Sequence, residues 1–409
     1  MENSISKTKN YLLDLSDEGD SSDDLQYLLN NFSGTVIKSQ LEIKDIHNSI
    51  RVYALGNMEQ IKSEQNSIFI VEELSFNYQK LSQESFQIVQ LGKVPINIYD
   101  AGVYYREFFK EADYFTQIQL EHTFQELTES NKASMALRKG IYLSKIVKKA
   151  TKEKNETLHF NLLRCSSNLK GSTDNFRKTD HDIVEALNET VKFDFEEEGT
   201  LNHVLAQIYY NKKKGSSKDT KPIKEIKAKI KAHSDKTKDM PKEGLIAFCT
   251  FYDKEQFEAL KPSRLDKFDW SYKATSGLTK ILFKLKNSVH DRTLKKEFTV
   301  TLYPNSVFLI PLSTNRRYTH EIRPSVLNID KIPTRMGYVI RCSNLEAVYM
   351  NKQTYIKQND DLIKLERMNT ENMKHLQERY YQENQTEEKV DYGKVHFSMN
   401  LGDYEKPMF

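Results

Sequence analysis

Seven short apolar runs, at residues 204–210, 245–252, 279–285, 298–302, 307–312, 338–342 and 347–349, follow one another with Pro, Gly and Asn between them. Each is short for a helix and rich in β-branched and aromatic side chains, so each reads as a strand. Strands repeated at this spacing favour a sandwich or barrel over parallel βαβ units. A jelly roll is the natural form for such a chain.

At 409 residues the molecule has room for that core and for additions to it. Residues 1–30 contain the run Asp17-Glu18-Gly19-Asp20-Ser21-Ser22-Asp23-Asp24 and too little apolar content to offset chain entropy, so an acidic disordered tail is expected there. An N-terminal α/β part should occupy 31–200. Its strands are expected at 67–74 and 86–91, and an amphipathic helix at 104–128 from the spacing of Tyr105, Phe108, Phe109, Phe115, Ile118, Leu120, Phe124 and Leu127. A Lys/Glu-rich connector at 148–156 and a helix from near Asp182 complete that part. The jelly-roll core should span 201–350. Residues 351–409 should hold a C-terminal helix at 360–383, set by Leu362, Leu365, Met368, Met373, Leu376 and Tyr380, and a polar tail. The expected class is α+β, with flanking helices and an N-terminal α/β extension whose outer segments shape a substrate cleft.

Composition removes several function classes. The chain is 38% hydrophobic and 29% charged, and no apolar run approaches the roughly 20 residues that span a bilayer, so no membrane partner is expected. The first 24 residues have neither the apolar stretch of a secretory signal nor the arginines of a transit peptide, which implies an intracellular protein. Cys165, Cys249 and Cys342 are too few and too far apart for a disulfide framework or a cysteine-rich zinc module. A net charge of +3 is near neutral, but residues 212–242 hold about a dozen lysines. A solvated insertion and a polyanion-binding surface both fit that asymmetry.

His233-Ser234-Asp235 follows this basic stretch. Side chains one residue apart on an extended segment point to the same face, so an imidazole and a carboxylate can grip one ion. A histidine followed two residues later by Asp or Glu arises about once by chance in a chain of this composition, and a surface position in a lysine-rich loop is the plain alternative. The block 303–320 adds weight: a turn, a buried strand, a polar loop and then His320. Two histidines and one carboxylate on one face of a metal leave three positions open, the arrangement used by non-haem Fe(II) oxygenases. Further on, Arg335 and Arg341 are six residues apart, so a strand places both guanidinium groups on one face, suited to a dicarboxylate. Arg341 could instead form an ion pair at the strand edge. Arg316, Arg317, Arg323, Arg335 and Arg341 place five arginines within 26 residues, which suits anionic ligands.

The order of these elements resembles the AlkB-like branch of the Fe(II)/2-oxoglutarate dioxygenases, in which N-x-Y, H-x-D, a distal His and R-x-[NS]-x-T-x-R occur in sequence. The likeness covers about residues 200–345. It implies a double-stranded β-helix, with His233, Asp235 and His320 as iron ligands and Arg335 and Arg341 on the co-substrate carboxylates. Gln207-Ile208-Tyr209 stands for the first element, with Gln in place of Asn, and Arg316 falls where the family often has an arginine. Gly337 and Val339 depart from the pattern, removing side-chain hydrogen bonds near 2-oxoglutarate. A looser similarity to TET-related 5-methylcytosine-modifying oxidases lies in residues 233–241 and 244–252 and leaves ascorbate as an alternative co-substrate.

The implied activity is O₂-dependent oxidation of a C–H bond, with Fe(II) and 2-oxoglutarate. The implied partner is nucleic acid, DNA before RNA, whose target base would be flipped from a duplex. Arg316 and Arg317 are candidate substrate contacts. Asp174, Asn175 and Arg177 are candidates too, in a loop dense in hydrogen-bonding groups, though a capped turn before a helix reads equally well. The alternatives are the same chemistry on a protein side chain or small metabolite, and a non-catalytic binding module.

Overall fold

The computed structural model describes residues 9–409 except 18, 20–21, 44–49, 62–67, 81–85, 110–112, 130–133, 151–155, 166–168, 197–198, 215–223 and 360. Its centre is eight strands: β1 (His203–Tyr209), β2 (Ile230–His233), β3 (Leu245–Tyr252), β4 (Lys280–Leu285), β5 (Glu297–Thr301), β6 (Ser306–Pro311), β7 (Tyr318–Arg323) and β8 (Arg335–Arg341). The order β1-β8-β3-β6 forms one sheet, extended by Met135–Ser144 beyond β1 and by Val103–Tyr105 beyond β6. The order β2-β7-β4-β5 forms a second. Pairing among these eight is antiparallel throughout.

Alternation along the strands explains why two sheets and a helical layer form. All eight residues of β3, Leu-Ile-Ala-Phe-Cys-Thr-Phe-Tyr, are buried, because both of its faces are covered. Ala247, Cys249 and Phe251 join Met336, Tyr338 and Ile340 of β8 in a core on the helix-covered face. Ile246 and Phe248 face the other way, into a second core with Phe308, Ile310, Phe283, Phe298, Tyr318 and Ile322, which lies between the two sheets. Each fully buried side chain of this size contributes roughly 1.5–3 kcal/mol. Since successive strand residues point to opposite faces, Arg335, Gly337, Val339 and Arg341 share the inter-sheet face.

Among the described residues there are five α-helices: α1 (Asp23–Asn31), α2 (Tyr114–Glu121), α3 (Lys178–Asp194), α4 (Leu312–Arg317) and α5 (Thr370–Gln385). Phe115 and Ile118 of α2 and Ile183, Val184, Leu187 and Val191 of α3 cover the outer face of the larger sheet.

Four expectations require correction. The described residues between 9 and 31 are not a disordered tail: Asn10–Leu15 is a strand, and Ser22 caps α1 by accepting a hydrogen bond from the Leu25 amide. The reason is local apolar content hidden in an acidic stretch, with Leu12, Leu13, Leu25 and Leu28 all buried. Residues 1–8 lie outside the described residues. That strand sits in a five-stranded parallel sheet with Thr35–Ile37, Arg51–Asn57, Ile68–Phe76 and Phe86–Val89, whereas Val103–Tyr105 and Met135–Ser144 belong to the larger core sheet. The span 31–200 is therefore divided between two sheets.

The helix expected at 104–128 is only α2. Asp113 caps its start by accepting from the Thr116 amide, while Gln125–Thr128 pairs with Met135–Ser144. Helix 360–383 is likewise shortened, since Asp361–Lys364 pairs as a strand with Gln353–Gln358 and Asn369 caps the true start of α5.

Candidate metal centre

Strand pairing brings the two histidines together. His233, the last residue of β2, pairs in register with His320 of β7, and their rings lie 4.4 Å apart. Beyond His233 the chain leaves the strand. The Asp235 amide donates to Asn315 Oδ1 at 2.8 Å and the Asn315 amide group donates back to the Asp235 carbonyl at 2.9 Å. The buried Ser234 donates its amide to Asn384 Oδ1 at 2.6 Å and its hydroxyl to the Tyr318 carbonyl at 3.1 Å. Asp235 Oδ1 then lies 3.6 Å from His233 Nε2 and 4.0 Å from His320 Nε2. One ligand atom from each residue falls within 4.8 Å of the others.

Protonation suits a cation. His233 Nδ1 is 2.9 Å from the Lys231 carbonyl, which can only accept, so Nδ1 carries a proton and Nε2 is the nitrogen turned toward Asp235. Burial, with His233 adjacent, pushes His320 down to about 3 and leaves it a neutral imidazole. Its ring is boxed by Phe248 and Phe283 at 5.3 and 5.6 Å. Burial opposes ionisation of Asp235, but Arg341 and the two histidines outweigh it and hold the carboxyl well below its usual range. Two imidazoles and one carboxylate fit a divalent ion of the nitrogen- and oxygen-preferring kind.

Arg341 forms the ion pair that its position also allowed: its Nε and Nη2 both donate to Asp235 Oδ2 at 2.8 Å. Its Nη1 is buried without a partner among the described residues.

A second polar group lies along the same face. The register pairs Gln207 with Gly337 and Tyr209 with Arg335. Arg335 stacks on the Tyr209 ring at 4.3 Å, and the Tyr209 hydroxyl donates to Gln207 Oε1 at 2.9 Å. A Cβ on Gly337 would lie 3.0 Å from Arg335 Nη1 and 3.3 Å from Tyr209 Cε2, so the glycine gives those side chains their space. Thr250 of β3, opposite Gly337, is buried with no partner for its hydroxyl among the described residues.

The remaining candidates are elsewhere. Asp174 is buried against His122 Nδ1 at 2.8 Å and Arg177 Nη2 at 3.0 Å, and Asn175 Oδ1 accepts from the Ile146 amide. His122 Nε2 meets Asp180 at 2.7 Å, and Asp180 accepts from the Tyr338 hydroxyl on the helix-covered face. The loop is thus an ion network on the far side of the sheet from the triad, and Asp174, Asn175 and Arg177 have no contact with the triad among the described residues. Arg316 reaches the Lys242 carbonyl and Glu243, at 3.3 and 3.5 Å, and Arg317 sits beside Tyr318 with Asp291 in electrostatic reach. Neither has a contact with the triad among the described residues.

Asn315, Asn384 and Thr250 had no signal in the sequence. Only the fold brings them to the site, from 80 residues away for Asn315 and 150 for Asn384.

No protein-family profile matches this sequence, and no curated protein matches it. Among solved structures, "The structure of OsALKBH1" is 13% identical over 59% of this chain and 96% of that chain, with a TM-score of 0.31. A second, "Selenomethionine labeled Fe(II)/(alpha)ketoglutarate-dependent dioxygenase TqaL", is 6% identical over 55% and 70%, with a TM-score of 0.22. At these scores neither likeness bears on the chemistry of the site. Neither match supports the similarity to TET-related oxidases.

Proposed function

We propose that this chain is a non-haem Fe(II)- and 2-oxoglutarate-dependent dioxygenase on a double-stranded β-helix, oxidising a C–H bond of a nucleic-acid base. The observation that carries the reading is the cluster of His233, Asp235 and His320 within 4.8 Å, formed by strand pairing and placed between two sheets. The strand orders β1-β8-β3-β6 and β2-β7-β4-β5 support a jelly roll, since consecutive strands from β1 to β4 alternate between facing sheets.

His233 Nε2, Asp235 Oδ1 and His320 Nε2 would hold the ion. Bound Fe(II) supplies the activation of O₂ that C–H oxidation requires. Arg341 keeps Asp235 ionised and turned by its Oδ2, while Phe248 and Phe283 exclude water behind His320. Arg335, Tyr209, Gln207 and Thr250 form the polar group suited to the distal carboxylate of 2-oxoglutarate. Support for an anionic substrate comes from a cavity of about 530 Å³ beside Tyr209, where Arg138, Lys212, Lys214, Lys227 and Lys229 face a single acid, Glu129.

The test is anaerobic titration with Fe(II) and then 2-oxoglutarate, followed through the weak visible charge-transfer band of the chelated complex. The band should appear in the native chain and be lost in Arg335→Ala. Iron binding without the band would replace 2-oxoglutarate by another co-substrate, and failure to bind iron would overturn the reading.

A further inference from the structure

A second cavity, of about 390 Å³, opens where the loop after Asp235 meets the C-terminal segment; Arg164, Lys238, Asp239, Lys394 and His396 line it. Lys238, Arg164 and Asp239 are nearly inaccessible, with side chains 5%, 5% and 4% exposed. Asp239 serves both cations. Arg164 donates Nε and Nη2 to it at 3.1 and 2.7 Å, and spends Nη1 on the Val395 and Phe397 carbonyls. Lys238 Nζ meets the same two oxygens at 2.8 and 2.9 Å and has no other hydrogen-bond partner among the described residues.

One carboxylate is therefore shared between two buried cations. Asp403 lies in electrostatic reach of Arg164, but its oxygens accept from Ser398 and Asn400 and it does not touch Lys238. Asp391 is also on the cavity wall, exposed, with Oδ1 accepting from the Gly393 amide. A buried charge in excess of its partners is costly unless an anion completes it. Burial pushes the Lys238 ammonium down to about 8, which leaves it charged at neutral pH. His396 adds an unused group: its Nε2 is shielded from solvent and has no partner among the described residues.

We propose that this cavity is an oxyanion site, separate from the metal centre, in which Lys238 binds the phosphate or carboxylate group of a small molecule with Lys394 at its rim. Two buried cations on the floor and an imidazole in the wall are the chemistry by which proteins hold such groups. The ligand is small, because the cavity is about the size that encloses a single metabolite. The site does not depend on the reaction assigned to the triad.

Calorimetric titration of the full chain with inorganic phosphate, and in parallel with acetate, at constant ionic strength tests it. Saturable binding of at least one anion is expected, weakened about tenfold or more in Lys238→Met and a few-fold in Lys394→Ala, with Co(II) binding at the triad unchanged. Tighter phosphate identifies a phosphoryl ligand, and tighter acetate a carboxylate. Absence of saturable binding by either anion overturns the proposal, as does equal affinity in Lys238→Met. Should that variant fail to fold, undiminished affinity in the exposed Lys394→Ala overturns it instead.

Discussion

Arg341 sets both Nε and Nη2 on one oxygen of Asp235, Oδ2, at 2.8 Å each. The arrangement divides the carboxylate. Oδ2 is tied to the protein, and Oδ1 is left facing the two imidazoles. A carboxylate held in this way cannot rotate to present both oxygens to an ion, which favours one-oxygen coordination and keeps neighbouring positions open.

Replacing Arg341 by Gln removes that hold and uncovers a buried carboxylate. Loss of an outer partner of this kind lowers metal affinity by about 10–100-fold. An anaerobic Fe(II) titration of Arg341→Gln measures it, and native affinity in that variant would show that Asp235 needs no guanidinium.

On the proposed function, a substitution at Gly337 should separate co-substrate binding from metal binding. Gly337→Asn places a side chain against Arg335 Nη1 and Tyr209, and 2-oxoglutarate affinity should fall about tenfold or more as the guanidinium is displaced. Fe(II) affinity should stay at the native value. A variant that binds 2-oxoglutarate more tightly would mean the asparagine supplies a hydrogen bond that the native site lacks.

Stability should fall in alkaline solution through His122. Burial works against its charge, but hydrogen bonds to Asp174 and Asp180 prevail and raise it from 6.5 to about 9. A group raised on folding contributes stability that is complete below its unfolded value and is lost as pH rises through its folded one. The contribution is on the order of 3 kcal/mol. Denaturant midpoints should decline between pH 7 and about pH 9.5, and the decline should be smaller in His122→Gln. Parallel curves for the two proteins would exclude the imidazole as the cause.

Six of the eight core strands were legible because burial writes itself into sequence, whereas β2 and β7, which are rich in polar residues, were not read as strands, and the run 347–349 belongs to Leu345–Met350 in a separate sheet. Leu245–Tyr252 is apolar enough to be read to the residue. His233, Asp235 and His320 were legible as candidate donors, although Asp235 lies beyond the strand that ends at His233, and the structure brings the three within 4.8 Å of one another. Residues 9–31 were misread because a composition average over an acidic stretch hides two short apolar clusters, around Leu12 and around Leu25. The span 104–128 was misread for the opposite reason. Aromatic residues from a strand, a short helix and another strand all point to one core, and their summed spacing imitates a single helix. Hydrogen-bond partners were out of reach of the sequence, since whether Asp174 meets a substrate or His122 depends on which face of the sheet it reaches.

The contact between α5 and the ligand loop bears on timing. Asn384 holds the Ser234 amide, and Glu383 accepts from both the amide and the hydroxyl of Thr237. Lys286 fastens the end of the helix by donating to the Glu383 and Thr386 carbonyls. During synthesis, His233, Asp235 and His320 all emerge before these fastenings exist. Strand pairing and Asn315 can hold the three side chains near one another without them, whereas the Ser234 amide gains its partner only from a segment 150 residues downstream. The fastenings between α5 and the loop that carries Asp235 can therefore form only after all three candidate donors have left the site of synthesis.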